Sequence, residues 1–415
     1  WRFEAYRDGE LASFLHQSLG ALLGEFARLA ELRADVARRA RWAARVVEVS
    51  RAHPEARHSW QQVREAIATS PRYAGRDVDL PHLPRAADGE AEPAATPAPT
   101  HLRDGSVDVT SETGVVFVLL PGGEGWTGAQ AGDPDARHHD RFAGADEAPV
   151  HAVELAPFFL ARHELTRAQW RRLTGTAPFW WGADLQYDGD PPISGAHPAD
   201  SMSWTEADAW TRRHRLALPT EAEWEYGCRG GTGTPWWTGG DLRSLAGSAN
   251  LLDETAKEQH PEWPTPAPFR DGFTGIAPAG SFRANAFGLF DVHGNVAEWT
   301  LDRYEPEFYA QFSTTEPAIF PVCLPNGDEY PRVARGGSWM DSPEDEPNLL
   351  RSAARLASTD DWKIQDPQLP QSKWYLTDAK FLGFRVVRPL ISPTEEEIKK
   401  FILYPDVPKG LESRP

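Results

Sequence analysis

The stretch "TGVVFVLLPGG", Thr113 to Gly123, opens the part of the chain that most restricts its fold. From there to about residue 390 the apolar runs are short, and Gly, Pro and Asp turns separate them. That punctuation favours a mixed α+β domain dominated by loops. The 415 residues include 36 Pro, 34 Gly and 17 Trp. Large rings are therefore expected to supply much of the packing that long helices supply elsewhere.

Three helices are legible inside this region. "TRAQWRRLTG" follows a cap at Thr166, and "SWTEADAWTRRHRL" starts from Ser203 with Glu206 three residues on, a capping box. "LPTEAEWEYGCRGG" repeats that pattern with Thr220 and Glu223, and Gly230-Gly231 ends it. Arg335 to Trp339, "RGGSW", reads as a strand entering a tight bend that only glycine suits.

The flanks differ. Leu15, Leu22, Leu29, Val36 and Ala43 recur at a seven-residue spacing within residues 9–52, which predicts a coiled-coil seam or helical hairpin. Residues 81–110 are rich in Ala, Pro and acid and read as a linker. The expected organisation is a helical segment over 1–80, that linker, a domain over 111–390, and a tail over 391–415 with a short helix capped at Thr394.

A formal charge of −18 argues against nucleic-acid binding, which needs basic groups to displace counterions. No run of 18 apolar residues is present, so no membrane-spanning segment is expected within these residues. The start at Trp1 rather than Met reads as a processed product or a fragment. Cys228 and Cys323 form no disulfide framework and no zinc spacing, which leaves the compartment open, with an extracytoplasmic one favoured.

Eight segments occur in a fixed order: "FVLLPGG" with "WTGAQ", "DEAPVHAVELAPFFLARHELTRAQW", "PADSMSWTEADAW", "LALPTEAEWEYGCRGG", "NAFGLFDVHGNVAEWTLD", "RVARGGSW", "LRSAAR" and "LGFRVVR". On these the region resembles the formylglycine-generating enzyme (sulfatase-modifying factor) family. The resemblance implies a loop-rich C-type-lectin-like fold. Within that family it also implies several chemistries, among them copper-dependent cysteine oxidation and iron-dependent sulfoxide synthesis, so fold does not choose function.

The resemblance also implies two structural calcium loops. The first would use Asn250, the Leu251 carbonyl, Asp271 and the Phe273 carbonyl. The second would use Asp291, the carbonyls of Gly294 and Val296, and Glu298. Calcium takes about six to eight oxygens from such groups. The alternative is that Asp271 and Asp291 merely form turns. Glu298, between Ala297 and Trp299, sits poorly for a carboxylate without a partner.

The copper enzymes of the family carry a cysteine pair after "GGS", whose thiolates hold Cu(I). Here Asp341 stands at the first of those positions and no cysteine follows before Arg351. No copper is expected. Cys228 keeps a family position, but its implied disulfide partner is Ser352. The iron-dependent relatives' His-x3-His-x-Glu pattern is absent around His16, His53 and His58. His138-His139 with His151 is the remaining transition-metal candidate, and it is weighed against a solvated loop.

An insertion before "LGFR" holds Trp362, Trp374 and Tyr375 among polar residues. With Trp339, Asp341 and Trp236-Trp237 it is a candidate ligand surface, since rigid rings on loops suit recognition. The reading favoured is a calcium-stabilised binding or regulatory module that binds a protein or small ligand and lacks oxidase chemistry. Its N-terminal helix would mediate self-association or docking. The rivals are a metal-dependent oxygenase and a structural subunit of an assembly.

Overall fold

The computed structural model describes residues 114–388, apart from 175, 178, 180–186, 188, 215, 313–314, 327, 329, 343–347 and 363–378, together with the isolated positions 20, 33 and 37. Gly20, Arg33 and Ala37 are helical. The heptad seam, the linker and the C-terminal helix otherwise lie outside the described residues. So do Trp374 and Tyr375. The chain divides into two compact units, residues 1–59 with 81–108 and residues 60–80 with 109–415. The elements below belong to the second.

Two antiparallel strand pairs open it. Strand β1 (Phe117–Leu120) pairs antiparallel with β4 (Phe158–Ala161), and β2 (Gly123–Thr127) pairs antiparallel with β3 (His151–Leu155). All four residues of β4 are buried; β10 (Val387–Arg388) pairs with its other edge, and β4 side chains enter two cores, Phe158 and Leu160 one and Ala161 the other. The third sheet carries the site. Its order is β8 (Leu356–Ala357), β7 (Arg332–Arg335), β5 (Ala297–Arg303) and β9 (Leu382–Gly383). A short strand β6 (Ala318–Ile319) runs parallel to β3.

The helices are short and capped as the sequence predicts. Helix α1 (Arg167–Thr174) begins after Thr166, whose hydroxyl accepts from Gln169 N while its N–H donates to Gln169 Oε1. Helix α2 (Trp204–Arg213) has the Ser203–Glu206 capping box, and α3 (Glu221–Arg229) has the Thr220–Glu223 box and ends at Gly230. A fourth helix, α4 (Glu254–Gln259), starts from Asp253, which the sequence reading did not single out. Packing between elements relies on rings, as expected: Trp170, Trp204, Trp210 and Trp299 share one core with Phe384 and Leu382. Trp224 anchors a second core with Leu120, Leu160 and Leu289.

Strand β7 leads into the glycine bend, with Gly336 at φ 91° and Gly337 at φ 65°. A Cβ on Gly337 would stand 2.9 Å from Leu350, so the turn after the strand has room for no side chain.

Candidate functional site

Strand register builds the centre of the site. Glu298 on β5 lies opposite Arg335 on β7 and opposite Gly383 on β9. Two residues beyond Gly383, the chain places Arg385 against Glu298. Its Nε and Nη2 donate to the two carboxylate oxygens, and Trp224 Nε1 donates to Oε2 at 2.8 Å. The missing partner of Glu298 is thus a buried arginine. Arg385 Nη2 also donates to the Phe290 carbonyl at 3.0 Å, which ties β9 to the turn before Asp291.

Two further buried carboxylates adjoin this pair. Glu164 accepts from Val296 N at 3.1 Å and Asn295 Nδ2 at 2.9 Å. Burial, with Asp291 and Glu298 nearby, holds its carboxyl well above the usual range. Asp291 accepts from Gly280 N at 2.6 Å through Oδ2, while its buried Oδ1 has no hydrogen-bond partner. Burial pushes Asp291 up to about 7, against the pull of the Gly280 N–H and Arg385. Three acids against one arginine leave a buried excess of negative charge if all ionise.

The first candidate loop lies beside the second. Asn295 N donates to the Asn250 carbonyl at 2.7 Å, and Asn250 Nδ2 donates to Asn295 Oδ1 at 3.0 Å and to the Gly275 carbonyl at 2.9 Å. The Asn250 amide oxygen is buried without a partner. Asp271 accepts from Leu251 N at 3.0 Å and Phe273 N at 2.8 Å. The fold therefore gathers Asn250, Leu251, Asp271 and Phe273 into one loop cluster, and Asp291, Gly294, Val296 and Glu298 into its neighbour. Burial, then the charge of Asp253, pushes Asp271 up to about 8.

The first donor set suits a hard cation; in the second, both Glu298 oxygens already face Arg385, so a cation there would share them with the guanidinium. Each loop leaves one buried amide or carboxylate oxygen without a hydrogen, and unpaired buried oxygens cost free energy that a cation recovers. Among the described residues no three His, Cys, Asp or Glu side chains are placed to hold one ion together. A cation in either loop would depend on amide and main-chain oxygens as well.

The structure corrects several other expectations. Trp339 is 1 % exposed and packs among Ile276, Val296, Tyr187 and Trp263. It is core, because the bend at Gly336 and Gly337 turns it inward. Trp236 is equally buried, with Leu245 and Leu251. Trp362 is half-buried against Trp299 and Phe381, so this ring caps the core rather than standing free. Asp341 folds back on its own turn, its Oδ2 accepting from Ser338 N at 2.7 Å and Ser338 Oγ at 2.9 Å. Met340, which the sequence reading passed over, is 41 % exposed.

The histidine loop is not solvated at His138. Its ring is buried, with Nδ1 2.9 Å from the Gly128 carbonyl, and burial beside Arg229 lowers it to about 4. His151 is buried too, stacked on Phe312 at 4.8 Å. Cys228 is a buried free thiol that burial pushes up to about 12. Ser352 Oγ lies 3.7 Å from its sulfur, where the resemblance implies a disulfide partner.

Sequence reasoning missed Arg385, Glu164 and Asp253. Arg385 and Glu164 lie far along the chain from Glu298, and no local pattern links them. Asp253 carried a signal, an Asp three residues after Asn250 and directly before a helical run.

Known proteins resemble this chain along most of the described unit. It is 31 % identical over 277 residues to a formylglycine-generating enzyme of Streptomyces coelicolor, covering 66 % of this chain and 80 % of that one. Hercynine oxygenase of Mycolicibacterium smegmatis is 28 % identical over 277 residues, covering 57 % and 56 %. Among solved structures, that of PvdO from Pseudomonas aeruginosa matches 66 % of this chain and 94 % of its own, with a TM-score of 0.44 and 23 % identity. The family model of the sulfatase-modifying factor enzyme 1-like domain matches residues 106–390. The chain belongs to the sulfatase-modifying factor enzyme 1-like family.

Proposed function

We propose that this chain is a calcium-stabilised binding or regulatory module, on a C-type-lectin-like scaffold, that has left cysteine oxidation behind. The observation that carries this reading is the turn after Gly337. Asp341, at the position of the relatives' first cysteine, spends a carboxylate oxygen on closing that turn through Ser338. A hard carboxylate cannot replace a pair of soft thiolates, and the only other thiols, Cys228 and Cys323, are buried. The residues do not fit Cu(I).

The chain should therefore show no oxygen uptake above background with a cysteine-containing sulfatase-type peptide after copper loading. Oxygen electrode traces and mass spectrometry of the peptide test this. A mass change matching an aldehyde would sink the reading.

For the calcium, Asn250, Asp271 and the carbonyls of Leu251 and Phe273 would hold one ion; Asp291, Glu298 and the carbonyls of Gly294 and Val296 would hold the other. The ion would neutralise buried acid and cross-link loops that carry little regular structure. Adding calcium to chelator-stripped protein should raise the melting temperature by several degrees, at about 2–4 °C per kcal/mol for a domain of this size. Superimposable curves with and without calcium would refute it.

A metal-dependent oxygenase is the second reading, supported by the similarity to hercynine oxygenase. Stoichiometric iron in the purified protein would favour it over the module.

A further inference from the structure

The first cation loop contains one acid more than the resemblance implies. Asp253 is fully buried at the start of helix α4. Its Oδ1 accepts from Thr255 N at 2.7 Å and Ala256 N at 3.2 Å, and its Oδ2 accepts from Thr255 Oγ1 at 3.2 Å and from the N–H of Asp271. Asp271 in turn accepts from Leu251 N, two residues before Asp253. Two acids of one short loop system are thus held together by main-chain hydrogen bonds.

Nothing positive is paired with them among the described residues. Arg270, adjacent in sequence, is over half exposed and bridges to Glu258 at 2.6 Å and Glu254 at 3.8 Å on the surface of the helix. Lys257 donates instead to the Trp263 carbonyl. Independently, Asn250, the residue before Leu251, keeps a buried amide oxygen with no donor, although both its amide hydrogens are used. A buried acceptor without a donor, next along the chain to Leu251, whose N–H holds the half-buried Asp271 tied to the buried Asp253, points to a cation.

We propose that Asp253 is a further acidic residue of this cation site, which doubles its side-chain charge and makes it selective for a divalent ion. The proposal rests on the calcium reading above. Affinity in oxygen sites follows ligand charge, and a unit charge a few ångströms from a divalent ion is felt strongly in a buried loop. The rival role is a helix cap alone. Asn and Ser cap helices about as well as Asp but lack the second oxygen that accepts from the Asp271 N–H, so melting in chelator reads the structural share and calcium affinity reads the rest.

The experiment compares wild type, Asp253→Asn and Asp253→Ser by calorimetric titration with calcium chloride after chelator treatment, with melting curves in the chelator. The expected result is roughly tenfold or greater weakening of calcium binding in both variants, with melting in chelator lowered by about a few degrees through loss of the Asp271 N–H bond. Unchanged affinity in both would reduce Asp253 to a helix cap and overturn the proposal. Variants that are unfolded in chelator would also overturn it, by making the carboxylate a folding requirement independent of any ion. A wild type that binds no calcium would defeat the calcium reading itself, a result distinguishable because it needs no variant.

Discussion

Gly294→Ala should be severely destabilised. Gly294 has φ 78°, and an added Cβ would stand 1.9 Å from the Asn250 carbonyl oxygen and 2.8 Å from its carbon. Both are main-chain atoms, so no side chain can swing aside. The contact cannot open cheaply either, because Asn295 N donates to that same carbonyl and Gly294 N donates to the Gly336 carbonyl at 2.9 Å. The expected loss exceeds about 4 kcal/mol, a large share of the roughly 5–15 kcal/mol that holds a domain together. Gly288→Ala is the control. Its φ is similar, 79°, but nothing lies within 4 Å of the added carbon, so it carries only the left-handed strain of roughly 1–2 kcal/mol. Urea unfolding of both variants decides the matter; equal losses would mean that the close approach of the two loops contributes nothing.

Arg385→Met should destabilise the fold by about 3–5 kcal/mol, the usual consequence of stripping one partner from a buried ion pair. The guanidinium is fully buried and faces Glu298, with Glu164 and Asp291 contributing to its field. Without it three buried acids stand together, and protonation would relieve only part of the cost. Stability should then fall more steeply as pH rises through the range where Glu164 and Asp291 ionise, since burial already holds both above the usual carboxylate range. The double variant Arg385→Met/Glu298→Leu should recover part of the loss, since removing both charges leaves fewer of them uncompensated. Denaturation curves that shift by less than about 1 kcal/mol for the single variant would show the pair to be dispensable. The same geometry makes Glu298→Ala a poor probe of calcium, because it strands Arg385 whether or not an ion is bound.

Local signals were legible where the physics is local. Thr166, Ser203 and Thr220 each cap a helix through main-chain donors within three residues, so sequence alone placed those starts. The bend in "RGGSW" was equally readable, because a left-handed backbone selects glycine at the residue itself. The two proposed cation loops were read from resemblance rather than spacing; in the structure they adjoin where Asn250 and Gly294 touch main chain to main chain.

Exposure was not legible. Trp339 and Trp236 look like binding rings in the sequence, but which way a tryptophan faces depends on how the bend before it docks on distant strands. His138 looked solvated in a polar loop, yet the loop folds over it and gives its ring the Gly128 carbonyl.

The sequence by itself determined the family, the mixed loop-rich fold, the helix starts and the absence of any cysteine between Gly337 and Arg351, because each is written in residues close along the chain. Only the tertiary structure decided what neutralises Glu298, since its partner Arg385 lies 87 residues away and reaches it through the β5–β9 register. The same holds for Asp253 and Asp271, 18 residues apart, where the Asp271 N–H meets the Asp253 carboxylate because the fold closes the segment between them. Charges act through space rather than along the chain, so their pairing exists only once the strands and loops are packed.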